Sequence, residues 1–203
     1  MKTKYLLIPF SYIFHPLFVS IYGALLYFLF TKNISFLAEV YLSLIQIFIL
    51  TVLLPISFYM LLKALKKVKS FTEATIEERR LPVFIQVILL YCLLNFTILE
   101  THFPELYKFF LAGFISSFLV FISVMLRFKA SLHMIGITAL FVFVVMLTSY
   151  LEIEATYTLA YLIMCIGFVA SSRLYMKAHT PIELLVGIII GASPQVFVWF
   201  YSM

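Results

Sequence analysis

Apolar runs of about 20 residues recur along the whole chain, which is the length an α-helix needs to cross a hydrocarbon core about 30 Å thick. Only short polar stretches separate them. Lipid offers the backbone no hydrogen-bond partner, so runs of this kind satisfy their own N–H and C=O groups by folding as helices. With 65% hydrophobic and 11% charged residues in 203, and a mean hydropathy of +1.14, the chain has more apolar surface than a water-soluble domain of its size buries. The expected fold is an all-α, polytopic membrane helix bundle, one transmembrane domain over residues 1–203. Spans are predicted near 8–30, 37–62, 83–100, 107–127, 134–151, 157–172 and 182–201. Pro9 and Pro16 interrupt the first of these, so the expected number is six or seven.

Residues 63–82 read as a loop of mixed basic and acidic character, and the polar motifs fall within 128–183. If residues 1–7 define one side of the membrane, 63–82, 128–133 and 173–181 share it. Twelve of the 14 Lys and Arg residues then lie on that side, leaving Lys32 and Lys108 for the other. The positive-inside rule makes this basic, motif-bearing side cytoplasmic and the chain an integral inner-membrane protein. Anionic lipid head groups, rather than nucleic acid, are the expected partners of the formal +5 charge. Cys92 and Cys165 sit in apolar runs without CxxC spacing, which argues against a disulfide framework or a zinc site. The HExxH, GxxxxGK[ST] and GxSxG patterns are absent, which disfavours a zinc protease, a P-loop NTPase and a serine hydrolase.

The densest polar cluster runs from Ser172 to Glu183 between two apolar runs. Ionisable groups at a bilayer edge are costly and by default mark function. A helix starting at Pro181 with Thr180 as its N-cap sets His179 and Glu183 about one turn apart. A carboxylate so placed can hold one imidazole proton and leave the other nitrogen to attack, while Arg173 offers a forked donor to a phosphoryl oxygen. Upstream, Ser131 and His133 open another predicted helix, where a hydroxyl, backbone N–H groups and the positive helix end suit an anion. Glu77, Glu78, Arg79, Arg80 and Pro82 precede the third span.

Taken together, these segments resemble the type 2 phosphatidic acid phosphatase (PAP2) superfamily, whose motifs are KxxxxxxRP, PSGH and SRxxxxxHxxxD. The third matches at Ser172, Arg173 and His179, with Glu183 in place of Asp. The second matches at Ser131 and His133, with Ala130 for Pro and Leu132 for Gly. In the first, Leu81 separates Arg80 from Pro82, and no lysine stands seven residues before Arg79 or Arg80. The resemblance implies that His179 is a nucleophile oriented by Glu183, that His133 handles the proton of the departing lipid oxygen, and that Arg173, Ser131, Ser172 and Arg80 or Arg79 bind the phosphate. It implies a membrane lipid as substrate and neither metal nor cofactor, with a homo-oligomer left open.

Each feature also has a plainer reading. Thr180-Pro181-Ile182-Glu183 is a capping box as it stands. The charges from Glu73 to Arg80 suit a solvated helical face, and His15 before Pro16 suits a kink. Gly187 and Gly191 mark a close-packing face toward this chain or a second copy. The alternative function is a non-catalytic relative that binds a phospholipid head group or serves as an assembly partner.

Overall fold

A computed structural model describes residues 2–32, 37–68 and 75–201, apart from the side chains of 2–6. These residues form α1 (Lys2–Ile13), α2 (Pro16–Thr31), α3 (Leu37–Phe48), a π-turn (Ile49–Leu53), α4 (Leu54–Ala64), α5 (Ile76–Phe96), the short α6 (Leu99–His102), α7 (Pro104–Met125), α8 (Leu132–Tyr150), α9 (Thr156–Tyr175) and α10 (Pro181–Tyr201). No strand occurs among them. Six helices are long and apolar enough to span a membrane, α3 to α4 counting as one through its π-turn. Large apolar side chains such as Met60, Phe96 and Phe200 cover their outer faces. The protein is an all-α integral membrane bundle.

The first predicted span is broken. Leu7–Ile13 and Pro16–Thr31 make a pair bent by 68°, which gives seven spans if counted as one. Pro16 has no N–H to continue the ladder, and it drives the preceding residue out of helical geometry. His15 is accordingly extended (φ −64°, ψ 139°), and its Nδ1 caps α2 by accepting the Leu17 N–H at 3.3 Å.

The third span starts earlier than predicted, at Ile76 rather than 83. Thr75 Oγ1 accepts the Glu78 N–H at 3.3 Å, and a Glu78 carboxylate oxygen accepts the Thr75 N–H at 3.0 Å. This capping box closes the helix end, and Pro82, already inside the helix, removes only one ladder donor. Arg79, Arg80 and Pro82 are therefore helical, and the loop is shorter than 63–82. Its residues 69–74, including Lys69 and Glu73, lie outside the described residues.

The most buried span is α8, packed against α2, α7, α9 and α10. Its joint with α10 is close enough to bring backbone against backbone. A Cβ on Gly187 would stand 2.9 Å from the Ser131 carbonyl oxygen, and one on Gly191 would stand 2.5 Å from that of Ile135. The predicted glycine face thus meets a helix of the same chain. Asn95, a polar residue expected from its apolar surroundings to bond across to another helix, donates instead to the Tyr91 carbonyl of its own helix at 2.8 Å.

Helices α4, α7 and α9 end where α5, α8 and α10 begin, and all three ends close alike. In α9 the Ala178 N–H reaches the Arg173 carbonyl at 3.1 Å and the Lys177 N–H reaches Leu174 at 2.9 Å, with Lys177 left-handed at φ 52°. Lys66 and Arg127 occupy the same position after α4 and α7, at φ 57° and 60°. Glycine usually fills this site. Here the basic side chains stand instead beside the negative ends of the helix dipoles.

Candidate functional site

At one end of the bundle the N-termini of α2, α5, α8 and α10 come together at His15, Thr75, Ser131 and Thr180. Each contributes partial positive charge from backbone N–H groups that the helix itself cannot pair. A cavity of about 350 Å³ opens among them, lined at this end by His15, Glu78, Arg79, His133, Arg173 and His179. Four of the eight predicted site residues thus share one wall. Glu183 stands behind His179, whereas Ser131, Ser172 and Arg80 do not line the cavity.

The predicted start of α10 holds, and it does two things at once. Thr180 Oγ1 accepts the Glu183 N–H at 3.3 Å, and Glu183 Oε2 accepts the Thr180 N–H at 3.1 Å. The same Oε2 lies 2.8 Å from His179 Nδ1, so the cap and the imidazole share one oxygen. Nδ1 donates, because an ionised carboxylate only accepts, and Nε2 keeps its lone pair. Burial pushes the His179 pKa down from 6.5 to about 4. The Glu183 hydrogen bond opposes this shift, while Arg79 and Arg173 add to it. At neutral pH the ring is uncharged and nucleophilic.

Arg173, in the last turn of α9, is 7% exposed. Its Nε has no hydrogen-bond partner and its Nη1 meets only the Met176 thioether at 4.0 Å. Among the described residues no carboxylate pairs with it. A buried, unpaired guanidinium costs several kcal/mol, and this one faces a cavity ringed by positive helix ends. An anion entering there would remove the penalty.

His133 occupies the first turn of α8. Its Nε2–H donates to the Ser11 carbonyl at 3.1 Å, and its ring stands edge-on to His15 with centroids 5.2 Å apart. Nδ1 is the nitrogen left for proton transfer. Ser172 turns away from the cavity to bond Ser11 Oγ at 2.7 Å, which ties α9 to α1. Ser131 is fully buried beneath Gly187, and its N–H donates to the Glu183 carbonyl at 3.2 Å. Its Oγ has no partner among the described residues. Of the arginine pair, Arg79 faces the cavity and Arg80 does not; the 100° step between successive helical residues separates them.

Two further residues belong to this end. Lys129 Nζ donates to the Ala178 carbonyl at 3.2 Å. Its pKa is lowered, first by burial and then by Arg79, while Glu183 opposes and Arg173 adds to the shift. A lysine two residues before Ser131 was the available signal. His15 joins the wall as well as capping α2; its kink reading is correct but incomplete.

Fold and site together describe a helical membrane protein with a cationic, histidine-bearing cavity at one end of its bundle. No family model matches the chain, and no curated protein or solved structure matches it either.

Proposed function

We propose that the protein is a lipid phosphatase of the PAP2 type, acting on a lipid phosphate monoester or pyrophosphate through a phosphohistidine. The observation that supports this most is Arg173, a buried guanidinium with no counter-ion among the described residues, on the same cavity wall as a neutral His179 whose Nδ1–H is held by a carboxylate.

In this mechanism Arg173 and Arg79 draw the phosphate to the cavity end and offset the charge that builds on its oxygens in the transition state. His179 Nε2 attacks phosphorus, forming the N–P bond as the P–O bond to the lipid breaks. Glu183 balances the charge gained by the ring. His133, neutral with its hydrogen on Nε2, takes the proton of the bound phosphate monoanion at Nδ1 and passes it to the departing oxygen. It then takes one from water, which attacks phosphorus, breaks the N–P bond and releases inorganic phosphate. The dry lipid side of the cavity suits a substrate that arrives by lateral diffusion.

The test is phosphate release from short-chain phosphatidic acid and from farnesyl pyrophosphate by the purified full chain. The expected results are turnover, inhibition by vanadate and loss of turnover in His179→Ala. The second reading is a head-group binder without chemistry, favoured by the positions of Ser131 and Arg80 away from the cavity wall. It predicts Arg173-dependent binding of the same lipids with no phosphate released by the wild type.

A further inference from the structure

The cavity does not end at its charged mouth. On α5 its wall runs from Arg79 to Leu90 and on α7 from Val120 to Phe109. Eleven residues at 1.5 Å each make it about 16 Å deep, more than half of a hydrocarbon core about 30 Å thick. Midway, Gly113 leaves open space: an added Cβ would meet nothing within 4 Å. At the rim, between the α1–α2 elbow and α4, stand the exposed side chains of Tyr12 and Phe58.

The deep end is not wholly apolar. Gln195 of α10 lines it and is fully buried. Its Nε2 donates to the Phe109 carbonyl at 3.2 Å, which fixes the orientation of the amide, and its Oε1 has no partner among the described residues. A buried acceptor without a donor is costly. A trapped water needs two to four polar partners to be held; Leu90, Phe109, Phe110 and Ala139 also line the cavity, and the hydroxyls of its α7 wall, Ser116 and Ser117, lie about two turns nearer the mouth than Phe109 and Phe110.

We propose that the cavity receives the tail of a single-chain amphiphile and that Gln195 Oε1 accepts a hydrogen bond from a hydroxyl or amide N–H on that tail, about 16 Å from the phosphate. The proposal rests on the phosphate reading only for which end the head group occupies. A plain alkyl tail leaves the Gln195 oxygen unpaired, and a donor placed nearer the head cannot reach it. The site therefore selects by the position of the donor as well as by chain length.

The experiment uses the full chain in lipid vesicles and measures Kd for three non-hydrolysable alkylphosphonates: unsubstituted, hydroxylated near the head, and hydroxylated about 16 Å from phosphorus. The far-hydroxylated compound is expected to bind about tenfold tighter than the other two, the worth of one well-made hydrogen bond. Gln195→Leu should erase that preference, and His179→Ala should keep it. Gly113→Leu, which fills the channel without touching its mouth, should weaken all three long-chain compounds while leaving inorganic phosphate binding unchanged. Equal affinity for the three in the wild type, or a preference that survives Gln195→Leu, would overturn the proposal. The matching long-chain alcohols, which carry no phosphorus, separate the two readings. If the phosphate reading fails, they still show the Gln195-dependent preference; if the tail reading fails, phosphate release persists without it.

Discussion

Glu183 Oε2 accepts from both the Thr180 N–H and His179 Nδ1, and two substitutions separate these duties. Glutamine is a natural closing residue of a capping box, because its amide oxygen can accept the Thr180 N–H just as the carboxylate does. Glu183→Gln therefore keeps the start of α10 and loses only the favourable meeting of a negative charge with the helix dipole, about 0.3–1 kcal/mol. The partner of His179 changes more, from a charged acceptor to a neutral one. A hydrogen bond to a charged group contributes about 1.5–3 kcal/mol, and the ring becomes cationic when it takes phosphorus. Loss of most of that term should slow phosphate release about 10- to 150-fold. Glu183→Ala removes the cap as well, at about 0.5–2 kcal/mol, so its thermal midpoint should fall clearly below that of the glutamine variant. The assay pairs initial rates of phosphate release with thermal unfolding of the same preparations in detergent. If Glu183→Gln keeps the wild-type rate while Glu183→Ala is destabilised, the carboxylate is only a helix cap and the orienting role is refuted.

Arg173→Leu should raise the unfolding midpoint of the ligand-free protein, because it replaces an unpaired buried charge by an apolar group, and should abolish phosphate binding; a lower midpoint would show that the guanidinium has a partner. The folded pKa of His179 lies below its unfolded 6.5, so its stabilising contribution is present above pH 6.5 and is lost as pH falls toward about 4. Midpoints measured between pH 7 and 4 should therefore decline less steeply in His179→Asn than in the wild type. Gly191→Ala sets a Cβ against the Ile135 carbonyl and should cost about 1–3 kcal/mol, whereas Gly167→Ala, which meets nothing within 4 Å, should stabilise by about 0.5–1 kcal/mol. Chemical denaturation in detergent compares the pair.

The sequence shows the polar end of this site far better than the apolar one. Thr180-Pro181-Ile182-Glu183 announces a helix start in local chemistry alone, and the structure puts α10 there. Thr75 and Glu78 carry the same signal for α5, but Pro82 and the charges from Glu77 to Arg80 look like a loop and set the predicted helix start seven residues late. Read as a loop, the segment gives no sign of which arginine faces inward, since Arg79 and Arg80 differ only by helical phase. Gly187 and Gly191 advertise a close contact without naming its partner, which turns out to be α8. The deep wall was illegible for a different reason. Helices α5, α7 and α10 are apolar almost all round, so no pattern along the chain marks the face that turns inward. Gln195 was visible as a polar residue in an apolar run, but its unpaired oxygen is a property of the assembled bundle.

The contacts of α1 bear on how the chain is put together. Ser11 bonds Ser172 across 161 residues of sequence, and its carbonyl holds His133 across 122. During synthesis the first helix therefore emerges long before either partner exists, and its bond to Ser172 cannot form until α9 has entered the bilayer. The residue whose carbonyl sets the His133 tautomer is itself tied down by that late bond. A chain arrested before residue 172 would hold all of α8 yet lack the Ser172 end of this clasp, so the histidine cluster is completed by the closing stages of insertion rather than by the helix that carries it.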